Sequence, residues 1–332
     1  MSAFLSLPLL SYLAIPSIGS YSTSINILFF YMTWSTLILS QPPLKVELLG
    51  TLMVRGFLFF LPSLWFLLFD TALPSLAVKI KTQGEAALPT RTVSASTPKK
   101  QILAWWKIIG VATGNLLLGV AIQAGVESAS TLLLHRSALR TTTTLPSPWR
   151  IFLDVSRGFL AREVLQYCAH RYLLHSDSSG AARLTTQHRT WHHALTAPHS
   201  FVAHYDHPLP WLLWKFFPTY LPAVIFRFHL LNYFVFLALV TLEETFAFSG
   251  YSTVPSILLG GIAKRQDLHS RSGGEGNYGP WGVCDWGCGT SVGGVLGEDV
   301  AQELEKHGVG EKAAGAIEGA KGGAKKKKGK PS

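Results

Sequence analysis

Imidazole is a strong ligand for first-row metals, and this sequence concentrates it. Between His170 and His207, 38 residues hold eight of the chain's twelve histidines. The run opens as His170-Arg-Tyr-Leu-Leu-His175 and resumes twelve residues later as His188-Arg-Thr-Trp-His192-His193. It then passes through His199, His204 and His207 to Pro208. Neutral imidazole suits iron, zinc, copper or nickel. On a helix, His188 and His192 share a face and His193 lies about 100° round, a set that can bracket a pair of metals. His170 and His175 are about 140° apart on an ideal helix, so one of them is expected where the helix ends or loosens. The competing reading is that amphipathic histidines collect at a membrane–water boundary. It accounts for one such residue but not for five at these spacings.

The elements that must position these side chains are apolar. Hydrophobic residues make up 48% of the chain and charged residues 14%, against roughly 25% charged in a soluble domain. Residues 25–39 read as a membrane helix of marginal length. Leu48 to Phe69 is a stronger span; Arg55 is expected to snorkel, and Pro62 requires neighbours that satisfy the freed carbonyl. Ile108 to Leu134 is the next span, with Gly110, Gly114 and Gly119 available for close helix approach. Ile151 to Leu174 is a mixed helix carrying Arg157, Arg162 and Glu163, which returns the chain to the cytosolic side as the first histidines arrive. Residues 209–226 and 228–245 read as a membrane-embedded hairpin. Its even number of crossings keeps His188–His193 and His269 on one side, as a shared site requires.

Charge and cysteine usage exclude other classes. The formal charge is +10, but residues 311–332, a low-complexity Gly/Ala/Lys tail, hold seven Lys against two Glu and so account for half of it. That points to a solvated tail beside an anionic leaflet rather than to nucleic-acid binding. Cys168, Cys284 and Cys288 are too few for a disulfide framework, and a CxxxC pair alone is a poor zinc ribbon. No Lys or Arg precedes Lys45, which argues against a cleaved secretory signal. A multi-spanning transporter gives no account of HxxxHH on a polar segment outside the spans.

The combination of HxxxxH, HxxxHH and the later Pro-His-Ser-Phe-Val-Ala-His-Tyr-Asp-His-Pro (198–208) resembles the membrane fatty acid hydroxylase / sterol desaturase superfamily. So does the block Gln266-Asp267-Leu268-His269, Asn277-Tyr278-Gly279, Asp285-Trp286-Gly287-Cys288-Gly289-Thr290. The resemblance covers roughly residues 150–291. It implies an all-α integral membrane protein with four to six membrane-embedded helices and a cytosolic histidine-rich cap. Five parts are expected: N-terminal membrane helices (1–78), a polar cytosolic linker (79–101), a membrane helix and loop (102–149), the histidine-box domain (150–291) and the basic tail (292–332).

The resemblance also implies a histidine-ligated non-haem di-iron centre that activates O2. Such a centre hydroxylates or desaturates a lipid C–H bond, with electrons from NAD(P)H through cytochrome b5 or a similar carrier. Sterol, sphingoid base and fatty acyl chain all fit as substrate. Carried over by position, His170, His175, His188, His192, His193 and His269 are the expected ligands. The third box departs from the family: Gln266 and Ser270 stand where histidines are usual, and Phe248 replaces a further one, so the iron centre is expected to be incomplete unless another side chain fills in. Glu244, one helical turn before Phe248, is the candidate substitute; the alternative is that Glu243 or Glu244 sits at the membrane interface paired with an arginine. His199, His204 and His207 are expected to be structural, and the Asn277–Trp281 and Asp285–Trp286 segments to form a lid. Lys328 and Lys330 resemble a dilysine retrieval signal, which implies the endoplasmic reticulum with a cytosolic tail. The alternative function is a non-catalytic relative, a scaffold or lipid-binding protein whose third box has decayed.

Overall fold

A computed structural model describes residues 21–89, 105–293 and 305. The basic tail, its dilysine pair and most of the polar linker lie outside the described residues. Among the described residues the secondary structure is helical, with two isolated β-bridges, Lys81 to Tyr251 and Arg140 to His229.

The first helix, α1, runs Tyr21–Ser40. The second, α2, runs Pro43–Ala72 and is long and apolar enough to cross a membrane, as are Trp105–Leu134 (α4) and Leu230–Ala247 (α8). A short helix, Pro74–Ile80 (α3), follows α2. Inside α2 the segment Gly56–Phe60 widens to a π turn immediately before Leu61-Pro62. The wider turn absorbs the register change at a position where proline supplies no N–H. Gly119 alone of the three candidate glycines on α4 allows close approach: a Cβ there would press on Phe216 and Trp211, whereas Gly110 and Gly114 face open space.

Helix α5, Pro148–Ala169, starts on a Ser147 cap. It loosens into a π turn at His170–Leu174 and stops at His175, whose N–H reaches His170 O. The sequence expectation of a loosened or ended helix at this pair holds for both residues. The remaining helices are α6 (Ala182–Trp191), α7, α8, α9 (Ile257–Arg271) and the short α10 (Val283–Cys288). Helix α7 is assembled from Pro208–Trp211, a π turn Leu212–Phe216 and Phe217–Ile225. Tyr233, Phe236, Leu237 and Val240 of α8 sit at the centre of one apolar cluster with Trp211 and Tyr220 of α7. A second cluster, with Phe59, Phe201, Trp214 and Phe248, floors the histidine region. The apolar side chains left outside, such as Phe57, Trp65, Leu133 and Leu160, are exposed, which in a spanning protein is the lipid-facing surface.

Two basic residues differ from expectation. Arg55 does not snorkel outward: its guanidinium turns inward to Glu244 at 2.8 Å. Lys81 is not a solvated linker residue. Its ammonium is buried against Asp70 at 2.6 Å, donates to Ser249 O and lies over the Tyr251 ring. In both cases a nearby buried carboxylate offsets part of the desolvation cost of the buried cation.

Candidate metal centre

Four imidazoles, those of His170, His175, His188 and His193, place one ligand nitrogen each within 4.8 Å of one another. His192 and His269 join the same cluster of rings. His192 stacks on His188 with centroids 5.1 Å apart, and His269 lies 4.7 to 5.2 Å from His170, His175 and His193. Three helices and a 3-10 turn bring the six together: His170 and His175 end α5, His188 sits in α6, His192 and His193 begin the turn His192–Ala194, and His269 ends α9.

The hydrogen bonds fix which nitrogen faces the centre. His170 Nδ1 meets Tyr278 O at 2.9 Å, His192 Nδ1 meets Tyr205 O at 3.0 Å, and His269 Nδ1 meets Gly276 O at 2.6 Å. A carbonyl only accepts, so each Nδ1 carries the proton and each Nε2 presents a lone pair. His188 Nδ1 donates to Asp206 Oδ2 at 2.5 Å, with the same consequence. His170 Nε2 and His188 Nε2 then face each other at 3.3 Å, lone pair against lone pair. His175 Nε2 and His193 Nε2 approach to 3.1 Å. His269 Nε2 is buried without a partner. Such a set of inward acceptors is stabilised by a cation between them, and the residues present therefore fit a bound transition metal.

Electrostatics keep the imidazoles neutral. Burial lowers His188 and His192 to about 3 and His269 to about 4, with the neighbouring His188 adding to the effect on His192 and His269. Burial also pushes His175 and His193 well below the ordinary value. Neutral imidazole is the metal-binding form.

The groups behind the ligands are tightly held. Asp206 also accepts from Trp214 Nε1 at 3.0 Å and from the His207 N–H at 2.7 Å. Asn115 of α4 donates to His204 O and Asp206 O, tying the site loop to a membrane helix. Trp214 stacks on His170 at 4.5 Å. The segment 276–279 supplies two of the orienting carbonyls and is itself organised by Asp285, which accepts the Tyr278 and Gly279 N–H groups and the Thr290 hydroxyl. Asn277, at φ +52, bonds Arg265 O and both polar atoms of the Val292 backbone. The segment expected to form a lid thus orients His170 and His269 from behind. Gly274, at φ +95, lets the backbone pass so close to His175 and His193 that a Cβ would overlap the His175 ring.

The model of the fatty acid hydroxylase family matches residues 155–290. That stretch of the chain is similar to fatty acid hydroxylases. No solved structure matches the chain. The matched residues take in all six clustered histidines and end at Thr290, the last residue of the block quoted above.

Within residues 155–290 one expected ligand stands elsewhere. Glu244 is not in the histidine cluster; its carboxylate is enclosed by Arg55 at 2.8 Å, Lys215 at 3.7 Å and Arg162 at 3.7 Å, with His204 at 3.5 Å. The arginine pairing of the alternative is present, at a buried position rather than an interfacial one, and three cations surround the charge a metal would have met. Glu243 pairs with Arg162 at 2.8 Å and accepts from Trp281 Nε1. Ser270 turns its hydroxyl back to Gln266 O, and Phe248 packs on His192 and under the Lys215 ammonium. His204 and His207 have structural roles: His204 accepts from Trp211 Nε1, and His207 caps α7. Asp206, Trp214 and Lys215 are the site neighbours that sequence reasoning passed over. Asp206 stood in the quoted His-Tyr-Asp-His-Pro run and was the one with a readable signal.

Proposed function

We propose that this chain is an iron-dependent, O2-using oxidoreductase that hydroxylates or desaturates a membrane lipid, with His170, His175, His188 and His193 as the core ligands and His192 and His269 completing the site. The observation that carries the reading is that four Nδ1 atoms are committed to acceptors, which turns four Nε2 lone pairs inward. Iron held there would supply one-electron chemistry with dioxygen, the chemistry an unactivated lipid carbon needs because it has no acidic proton for a side-chain base. The residues' own work is to hold the imidazoles neutral and oriented, through Asp206 and the Tyr205, Gly276 and Tyr278 carbonyls, and to exclude water with the Trp214 and Phe248 rings. Electrons would come from NAD(P)H through a cytochrome b5-type carrier. The histidine side and the tail would face the cytosol in the endoplasmic reticulum membrane, with α5 and α7 embedded beside the three long apolar helices.

The test is reconstitution of purified protein with iron, reductase and cytochrome b5 in vesicles containing sterol, ceramide and phospholipid. Product analysis then looks for a lipid gaining one oxygen atom or losing two hydrogens. Ser270 and Phe248, both committed to packing or self-bonding, favour the second reading, a non-catalytic lipid-binding relative. That reading predicts bound metal or lipid with no oxidised product under conditions where a known hydroxylase turns over.

A further inference from the structure

At the end of α5 opposite His170, three arginines surround one carboxylate. Asp154 is fully buried and receives Arg150 at 3.1 Å and the Asn232 amide at 2.8 Å. Those two contacts already supply an ion pair and a charge-stabilised hydrogen bond. Arg140 at 3.9 Å and Arg157 at 4.0 Å stand at the outer limit of pairing, and the three guanidinium side chains are 39 to 47% exposed. Three cations against one anion leave a surplus of positive charge at the surface. Beside it Trp149 and Phe152, both exposed, stack with centroids 5.4 Å apart, and tryptophan is a residue enriched where a helix passes through the headgroup layer.

From Arg157 a groove runs along α5 toward the histidine end, walled on its other side by α7. Its first half, about 490 Å³, lies between Arg157, Ala161 and Leu165 of α5 and Ile225 of α7. Its second half, about 500 Å³, continues from the same Leu165 past Cys168 to Tyr172. Arg157 to Tyr172 corresponds to roughly 22 Å at 1.5 Å per residue, more than the ~15 Å depth of one leaflet's hydrocarbon. Apart from Arg157 at one end and Cys168 and Tyr172 at the other, its lining is apolar.

We propose that this groove holds one acyl chain of a membrane phospholipid whose anionic headgroup is bound by Arg157 with Arg140 and Arg150. The charge complementarity at the Arg157 end selects the occupant: planar guanidinium groups match phosphate oxygens, and a lipid brings phosphate and chain together at the spacing the groove offers. The site is separate from the metal centre and does not depend on the oxidoreductase reading.

The experiment is native mass spectrometry of the full-length protein in detergent, titrated with dioleoyl phosphatidylglycerol and, separately, dioleoyl phosphatidylcholine. The anionic lipid is expected to be retained as one copy with about a tenfold preference. Arg157→Gln, at an exposed side chain whose ion pair is the weakest of the three, should erase most of that preference and leave the thermal melt unchanged. Ala161→Trp, which fills the groove, should remove retention of both lipids. Equal retention of the two lipids, or an unaltered preference in Arg157→Gln, overturns the proposal. So does a wild-type dimer that Ala161→Trp converts to monomer, because the groove would then belong to a second copy of this chain.

Discussion

Two buried polar clusters lie next to each other and meet desolvation in opposite ways. At the end of α8, Glu243 and Glu244 are enclosed by Arg55, Arg162 and Lys215. Each carboxylate has at least one cationic partner within the set, so neither needs a metal to offset its charge. The histidine cluster has six neutral rings and, between His170 and His188, acceptor facing acceptor. A cation placed between those rings would meet the facing lone pairs. Consecutive residues on one π turn join the two: Trp214 stacks on His170, and Lys215 reaches Glu244. Buried charge in a membrane protein is therefore a poor pointer to a metal ligand when cations lie within reach. Buried neutral imidazoles with their Nδ1 protons committed are a better one.

That contrast can be broken in either direction. Glu244→Gln leaves two arginines and a lysine sharing a single carboxylate. Removing one partner of a buried ion pair typically destabilises by about 3–5 kcal/mol, which a lowered melting temperature would register. Metal content per folded molecule should be unaffected. Loss of metal without loss of stability would return Glu244 to the ligand set.

Asp206→Asn removes the carboxylate behind His188 while keeping its volume. Loss of such an outer partner typically costs 10–100-fold in metal affinity, measurable by competition with a chelator. An unchanged affinity would mean that the His188 orientation is set elsewhere.

Gly274→Ala introduces a methyl group at φ +95 against His175 and His193. Strain of this kind is on the order of 1–3 kcal/mol. It should weaken metal binding more than it lowers the melt of chelator-treated protein, because the displaced atoms belong to two of the proposed ligands.

A smaller effect concerns pH. His188, His192 and His269 are held at about 3 to 4 in the fold, below the ~6.5 of an unfolded histidine. The unfolded chain therefore takes up protons first, and the stability of chelator-treated protein should fall as pH drops from about 6.5 towards 4. Bound metal, by competing with those protons, should flatten the decline. A chelator-treated melt that is flat across this range would contradict the neutral, buried assignment.

Much of this arrangement was legible in the residues. The three long apolar helices and the loosened turn at His170 and His175 follow from apolar run lengths and spacing, and the gathering of six histidines was implied by the family resemblance. The partners that orient the rings were less so. Three of the four Nδ1 acceptors are backbone carbonyls, of Tyr205, Gly276 and Tyr278, and a carbonyl has no residue identity to read. Glu244 misled because Phe248 is one turn away in sequence, whereas its real partner Arg55 is 189 residues distant. Gly110, Gly114 and Gly119 look alike in sequence, and only the approach of Phe216 and Trp211 distinguishes the last.

The central claim is that the inward lone pairs of the histidine cluster hold iron. It is tested most directly by elemental analysis of protein purified in detergent, comparing wild type, His188→Ala with His193→Ala, and Glu244→Gln. Iron bound to wild type and to Glu244→Gln, and absent from the histidine variant while its far-ultraviolet helical signal persists, is the expected result. Wild-type iron content in the histidine variant would contradict the account, as would a wild-type protein that binds no transition metal when iron is supplied.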